Sequence, residues 1–269
     1  MPEIEIARSD GIATLTMNNP GARNALSAEM KADFSAAVAD VAADPSVKAV
    51  VLTGAGGVFC AGGDIRGMLE FREAGTPVEG WRQRMLDLQP LIRSLVELDK
   101  PLIAAVDGAA YGAGFSIAIL ADVVLASPRA RFCMSFMRIG LVPDFAAMYT
   151  LPRVVGVQRA KELMLSAREV GPDEALKLGI AMELVPSEAL LARAQALGRS
   201  FAGASPMAAA LIKRELGMSL ATDLRQTLVN EADNQALCFQ SGYHRQAVDN
   251  FLNKQPAMFQ WPAAPQPDK

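Results

Sequence analysis

Histidine is nearly missing from this chain: His244 is the only one in 269 residues. A Ser–His nucleophile would have to be built on it, and no G-x-S-x-G elbow is present to carry the serine. Its setting near the C-terminus, in a helical pattern, marks it as a surface helix residue. The three cysteines, Cys60, Cys133 and Cys238, are odd in number and far apart. That spacing excludes a disulfide framework, and with one histidine it excludes a zinc site. A reducing cytoplasm is the expected compartment. Long apolar runs are also missing. The longest, residues 115–125, is interrupted by Ser116 and Asp122 and is shorter than the roughly 20 residues that cross a bilayer. The opening MPEIEIARSD carries acids and no apolar stretch, so no leader is expected. No basic stripe interleaved with aromatics occurs and the net charge is −3, which argues against nucleic acid as a partner.

What is present reads as an ordinary globular protein, 51% apolar and 20% charged. Residues 4–17 alternate about Asp10-Gly11, a hairpin signal. Ser27 is placed to cap a helix whose Met30, Phe34, Val38 and Val41 share one face, with Asp44-Pro45 ending it. Residues 47–53 read as a buried strand leading into a glycine-rich loop, 54–63, after which Asp64 opens a helix. One long helix is predicted over 81–98. A second buried strand, 102–106, leads through Asp107-Gly108 into another small-residue segment, 109–114, a short helix and a strand over 122–126. Beyond Asp144 the pattern turns mostly helical. The boundary falls near residue 200, giving an α/β core over 1–200 and a helical region over 201–269. The tail WPAAPQPDK is expected to be disordered.

Three segments could carry chemistry. In Phe59-Cys60-Ala61-Gly62-Gly63-Asp64-Ile65, consecutive small residues let a ligand approach the backbone. A helix N-terminus behind such a loop suits an oxyanion. The alternative is a tight strand-to-helix turn with no ligand. In Gly108-Ala109-Ala110-Tyr111-Gly112-Ala113-Gly114, the start of a dinucleotide fingerprint fails because Ile117 replaces its third glycine, and no P-loop lysine follows either loop. In the run 140–148, Asp144 is one carboxylate among apolar and small residues. Burial would raise its pKa and make it a base near neutrality; a helix N-cap is the alternative.

The runs Asn19-Pro20-Gly21-Ala22-Arg23-Asn24-Ala25-Leu26, Val51-Leu52-Thr53-Gly54 with Phe59 to Ile65, Ala105 to Gly114, and Gly140-Leu141-Val142-Pro143 with Leu151-Pro152-Arg153 stand in the order and spacing of the enoyl-CoA hydratase/isomerase (crotonase) superfamily. The chain resembles that superfamily over about residues 4–255. The resemblance implies an α/β fold, a spiral of ββα units with a helical C-terminal region that forms trimers or pairs of trimers. It implies an acyl-CoA thioester substrate and no separate cofactor or metal, coenzyme A being part of the substrate. It implies oxyanion-hole N–H groups at Gly63 and Ala113. The substrate would also touch Gly62, Gly112 and Phe136. Coenzyme A would run along Ala22, Arg23 and Ala25, with adenine near Ala61, Asp64 and Ile65, and phosphates meeting Arg23, Arg66 and Lys254. The two glutamates of the hydratases are replaced by Ser116 and Phe136. Asp144 instead matches the carboxylate of the single-acid enoyl-CoA isomerases, and the 139–153 region is most similar to the ring-opening isomerases of phenylacetate breakdown. Double-bond isomerisation with Asp144 as acid and base is the expected activity. Hydration, thioester hydrolysis and non-catalytic acyl-CoA binding are the alternatives.

Overall fold

The structure, a computed structural model, describes residues 2–263. Strands β1 (Ile4–Ser9) and β2 (Ile12–Met17) form the expected hairpin, with Ser9 opposite Ile12 and both Asp10 and Gly11 at positive φ. Helix α1 (Ala28–Ala43) follows; the Ser27 hydroxyl accepts the Met30 N–H at 2.9 Å, and Met30, Phe34, Val38 and Val41 are buried. Strand β3 (Ala49–Gly54) then pairs in parallel with β2.

The next stretch is helical: α2 (Ile65–Glu73), α3 (Val78–Leu86) and α4 (Gln89–Val96). The single helix expected over 81–98 is therefore two. Pro90 is the cause: it has no N–H to continue the ladder, and its ring would meet the carbonyl four residues earlier, at Leu86. Then come β4 (Leu102–Val106), β5 (Ala109–Tyr111), α5 (Ala113–Ala118), β6 (Val123–Ala126) and β7 (Arg131–Cys133). The helical half begins with α6 (Ala147–Val155) and α7 (Val157–Ser166), interrupted by β8 (Glu169–Val170), α8 (Pro172–Lys177) and β9 (Glu183–Leu184). It ends with α9 (Ser187–Ser200), α10 (Pro206–Met218), α11 (Leu224–Gln240) and α12 (Gly242–Leu252).

Six strands form one sheet in the order β1-β2-β3-β4-β6-β9, and β5-β7-β8 form a second. In the large sheet only β1 and β2 are antiparallel. Its central strands are buried on both faces, as parallel strands require. Val51, Ile103, Ala105 and Leu125 point to one side, where Leu190, Ala194 and Leu197 of α9 cover them. Val50, Leu52, Ala104 and Val106 point to the other, into the core that holds α1 and α4. Among the described residues no helix is long and apolar enough to cross a membrane.

One further expectation is corrected here. Trp261 is docked, edge-on to Phe201 with ring centroids 6.0 Å apart, and Arg193 donates to the Pro262 carbonyl at 3.3 Å. An aromatic and a satisfied main chain hold that part of the tail down; residues 264–269 lie outside the described residues. His244 is on the surface helix α12 but half-buried, edge-on to Phe239 at 5.0 Å.

Asn24 ties the first loop to the one after β3. It is fully buried, with φ 55°. Its amide donates to the carbonyls of Val58 at 2.7 Å and Ala55 at 3.0 Å, and its Oδ1 accepts the Asn19 N–H at 2.9 Å. We expect Asn24→Ala to cost about 2–3 kcal/mol, because it strips buried carbonyls of their donor and puts alanine at a left-handed φ. Urea denaturation measures this; a loss below about 0.5 kcal/mol, the range of an ordinary surface change, would deny the residue that role.

Candidate active site

The sheet delivers two stretches of bare backbone to the same place. Loop 55–63 leaves β3, and β5 leaves β4 one turn later. The Cys60 N–H donates to the Ala109 carbonyl at 3.0 Å, and the Tyr111 N–H donates to the Cys60 carbonyl at 2.9 Å. Small residues are needed for this approach. A Cβ added at Gly114 would stand 2.2 Å from the Cys60 carbonyl oxygen. One at Gly62, where φ is +100°, would stand 2.6 Å from the Tyr111 oxygen and 3.6 Å from the Ala113 nitrogen. The segments thus bring Gly63 and Ala113 into one neighbourhood. Among the described residues neither N–H has a hydrogen-bond acceptor. Met68 of α2 lies over Gly63, its Cε 2.8 Å from where a Cβ would be.

The first loop joins them from the other side. The Ala61 N–H donates to the Arg23 carbonyl at 3.0 Å, and the Leu26 N–H to the Gly62 carbonyl at 2.8 Å. Ala22, Arg23 and Ala25 therefore line up beside Ala61 and Gly62. Asp64 caps α2 by accepting the Arg66 N–H at 3.0 Å, while Ile65 and Arg66 are exposed next to it. Among the described residues no carboxylate lies within 4 Å of either Arg23 or Arg66. Lys254 stands apart from this group: it follows α12, and among the described residues no hydrogen bond or ion pair joins it to these loops.

Asp144 does not cap a helix. Phe145 and Ala146 are both left-handed, so the chain turns twice before α6 begins at Ala147. The Ala147 N–H is satisfied by the main-chain oxygen of Asp144, at 3.0 Å, and α6 has no side-chain cap. The carboxylate is left with Oδ1 buried and without a partner. Burial pushes its pKa up to about 6; its own N–H and the Lys31 ammonium pull the other way. Phe136 is buried, its ring 3.8 Å from where a Cβ on Gly112 would be. Ser116 is fully buried and spends its hydroxyl on the Gly112 carbonyl at 3.2 Å.

A cleft of about 660 Å³ opens next to Asp64, between α1, α2, α3 and α4. Lys31, Phe71 and Arg84 line it. Burial and the nearby Arg84 charge lower the Lys31 pKa, while the charges of Asp64, Asp144 and Glu29 raise it. Asn24, Lys31, Met68 and Arg84 carry no role in the sequence reading. Nothing in their spacing shows which way α1 and α2 turn them.

Backbone donors without acceptors and a desolvated carboxylate are features with which an enzyme can hold an oxyanion and move a proton. The sequence pattern described as enoyl-CoA hydratase/isomerase matches residues 7–262, and the chain belongs to that family. It is 34% identical over 249 residues to the 1,2-epoxyphenylacetyl-CoA isomerase of Escherichia coli, covering 93% of this chain and 95% of that one. It is 33% identical over 244 residues to the short-chain-enoyl-CoA hydratase of Clostridium acetobutylicum, covering 90% and 92%. The crystal structure of an enoyl-CoA hydratase/isomerase from Cupriavidus metallidurans CH34 superposes with a TM-score of 0.93 at 40% identity, over 98% of this chain and 99% of that one.

The raised pKa of Asp144 has a consequence for stability. Folding raises its pKa, so between the unfolded value and about 6 the folded state binds more protons. Stability from this group is then greatest at low pH and is lost as pH rises through 6, by at most about 3 kcal/mol. Asp144→Asn removes the charge. We expect the variant to be at least as stable as the parent at pH 7.5, with the difference shrinking toward pH 4. Paired urea denaturations across that range test it; a variant clearly less stable than the parent at pH 7.5 would contradict an unfavourably buried charge.

Proposed function

We propose that the protein isomerises the double bond of an enoyl-CoA, with Asp144 carrying the proton. The observation that carries this reading is the Asp144 carboxylate itself, its Oδ1 buried without a partner and its pKa shifted toward neutrality. The thioester carbonyl would accept from the N–H groups of Gly63 and Ala113. Asp144 takes a proton from the α or γ carbon, and the electrons of that C–H bond move toward the carbonyl to give an enolate. The two amides hold the oxyanion. The carboxylic acid then returns the proton at the other end of the allyl system, and the double bond has moved. One acid suffices and no water enters. The Phe136 ring and the occupied Ser116 hydroxyl leave no second acid for hydration at the positions the hydratases use.

Coenzyme A would follow Ala22, Arg23 and Ala25, with adenine near Ala61 and Ile65 and phosphates met by Arg23, Arg66 and Lys254. We take residues 1–200 as a spiral core of ββα units and 201–269 as an oligomerising region, in a cytoplasmic enzyme. A second reading, hydration, is favoured by the similarity to the Clostridium acetobutylicum hydratase. Crotonyl-CoA turnover decides between them.

Asp144→Asn is the direct test. We expect it to fold and bind acyl-CoA while its isomerase rate falls at least about 100-fold, within the usual range for a lost general base. The same assay should show far less hydrated than isomerised product from the parent. Retention of most activity, or hydration at the isomerase rate, would overturn the reading.

The exposed apolar residues of the C-terminal helices support assembly. Leu216, Leu220, Leu224, Leu228, Phe251 and Leu252 are each more than half exposed. We expect light scattering at micromolar concentration to give a trimer or a pair of trimers; a stable monomer would refute this.

A further inference from the structure

We propose that the cleft between α1, α2 and α3 receives an anionic end of the acyl chain, a distal carboxylate held by Lys31 and Arg84. This rests on the reading of Gly63, Ala113 and Asp144 as the thioester site. Asp64, one residue beyond Gly63, is among its lining residues, so the cleft opens beside the loop that would hold the thioester carbonyl. Its walls include Phe71, Leu88 and Leu91, which suit methylene groups. Two cations face it from different helices, Lys31 from α1 and Arg84 from α3.

Neither cation has a counter-charge of its own. Among the described residues no carboxylate lies within 4 Å of the Lys31 ammonium or the Arg84 guanidinium. Burial disfavours the Lys31 charge, and Arg84 beside it pushes in the same direction. An added carboxylate would relieve both effects. Arg84 is held ready rather than loose: its guanidinium lies 4.6 Å over the Phe71 ring, and it donates to the Gly67 carbonyl at 3.4 Å. The acids around the cleft do not fill this role. Glu29, Glu70 and Asp87 are exposed at its rim, and Asp87 accepts from Gln83 at 2.7 Å. Asp64 is engaged in capping α2.

The anionic oxygens could come from the acyl end or from a phosphate of coenzyme A. The acyl end is favoured because Phe71, Leu88 and Leu91 line the same cleft as the two cations, an apolar wall that suits methylene groups and that a phosphate would not need. The test uses binding of saturated thioesters, which cannot isomerise: adipoyl-CoA against hexanoyl-CoA, and suberoyl-CoA against octanoyl-CoA, measured by calorimetry. In the parent the dicarboxylic member of at least one pair should bind about tenfold tighter, as a charge-assisted hydrogen bond gives. Lys31→Met and Arg84→Met should erase that preference and leave hexanoyl-CoA binding within about threefold, the scale of a lost exposed charge. Lys31→Arg should keep part of it. Equal affinities within both pairs in the parent overturn the proposal while leaving the thioester site standing. A loss in Lys31→Met that is equal for both members of a pair, and disappears with 3′-dephospho thioesters, assigns the cations to phosphate and also overturns it. Failure of the folded parent to bind any of the four thioesters would remove both readings together.

Discussion

Backbone lying on backbone is the constraint on which the site depends. Where loop 55–63 meets β5, the main chains of Cys60 and Ala109 to Tyr111 exchange hydrogen bonds, and Gly62 and Gly114 remove the side chains that would hold them apart. Amides can then be left without internal acceptors only because the surrounding chain is fully paired. Asn24 does part of that pairing, by satisfying the carbonyls of the loop that arrives at Cys60. The parallel strands β3 and β4 fix the origin of both segments, and α9 and α1 fix the strands from either face. A small disturbance at Gly114 or Asn24 would therefore reach the Gly63 and Ala113 donors, although neither residue is a donor there.

Asp144 is the other half of the arrangement, and its cost is visible. A carboxylate buried without a partner is unfavourable to the fold. Two successive left-handed residues, Phe145 and Ala146, hold it in that position, and they are themselves uncommon for side-chain-bearing residues. Strain and desolvation in the same three residues fit a group kept for chemistry. Lys31 moderates the effect from α1 without forming an ion pair, which leaves the carboxylate available.

The sequence was most informative where structure is local. The Asp10-Gly11 turn, the Ser27 and Asp64 caps and the buried parallel strands were legible because each is decided by a few neighbouring residues. The two small-residue loops were legible as places of close approach, but their contact with each other is set by the pairing of β3 with β4. The break at Pro90 was missed, because apolar residues on either side continue a helical period through it. Asp144 could not be assigned from its neighbours: capping requires a helix that starts at once, and the left-handed turn at Phe145 and Ala146 leaves no mark in the sequence. Lys31 and Arg84 line one cleft only because α1, α2, α3 and α4 come together around it, a tertiary fact that neither residue's surroundings reveal.

The central claim is that one carboxyl, walled from water, both removes and returns the proton. The deuterium content of isomerised product formed from a β,γ-enoyl-CoA in heavy water, read by mass spectrometry over a single turnover, tests this most directly. A carboxyl desolvated as Asp144 is should hand much of the substrate's own hydrogen back, so a substantial fraction of the product should carry no deuterium at the new C–H bond. Product deuterated completely at that position, accompanied by a deuterated water adduct, would mean that solvent reaches the carbon and that the site is a hydratase's.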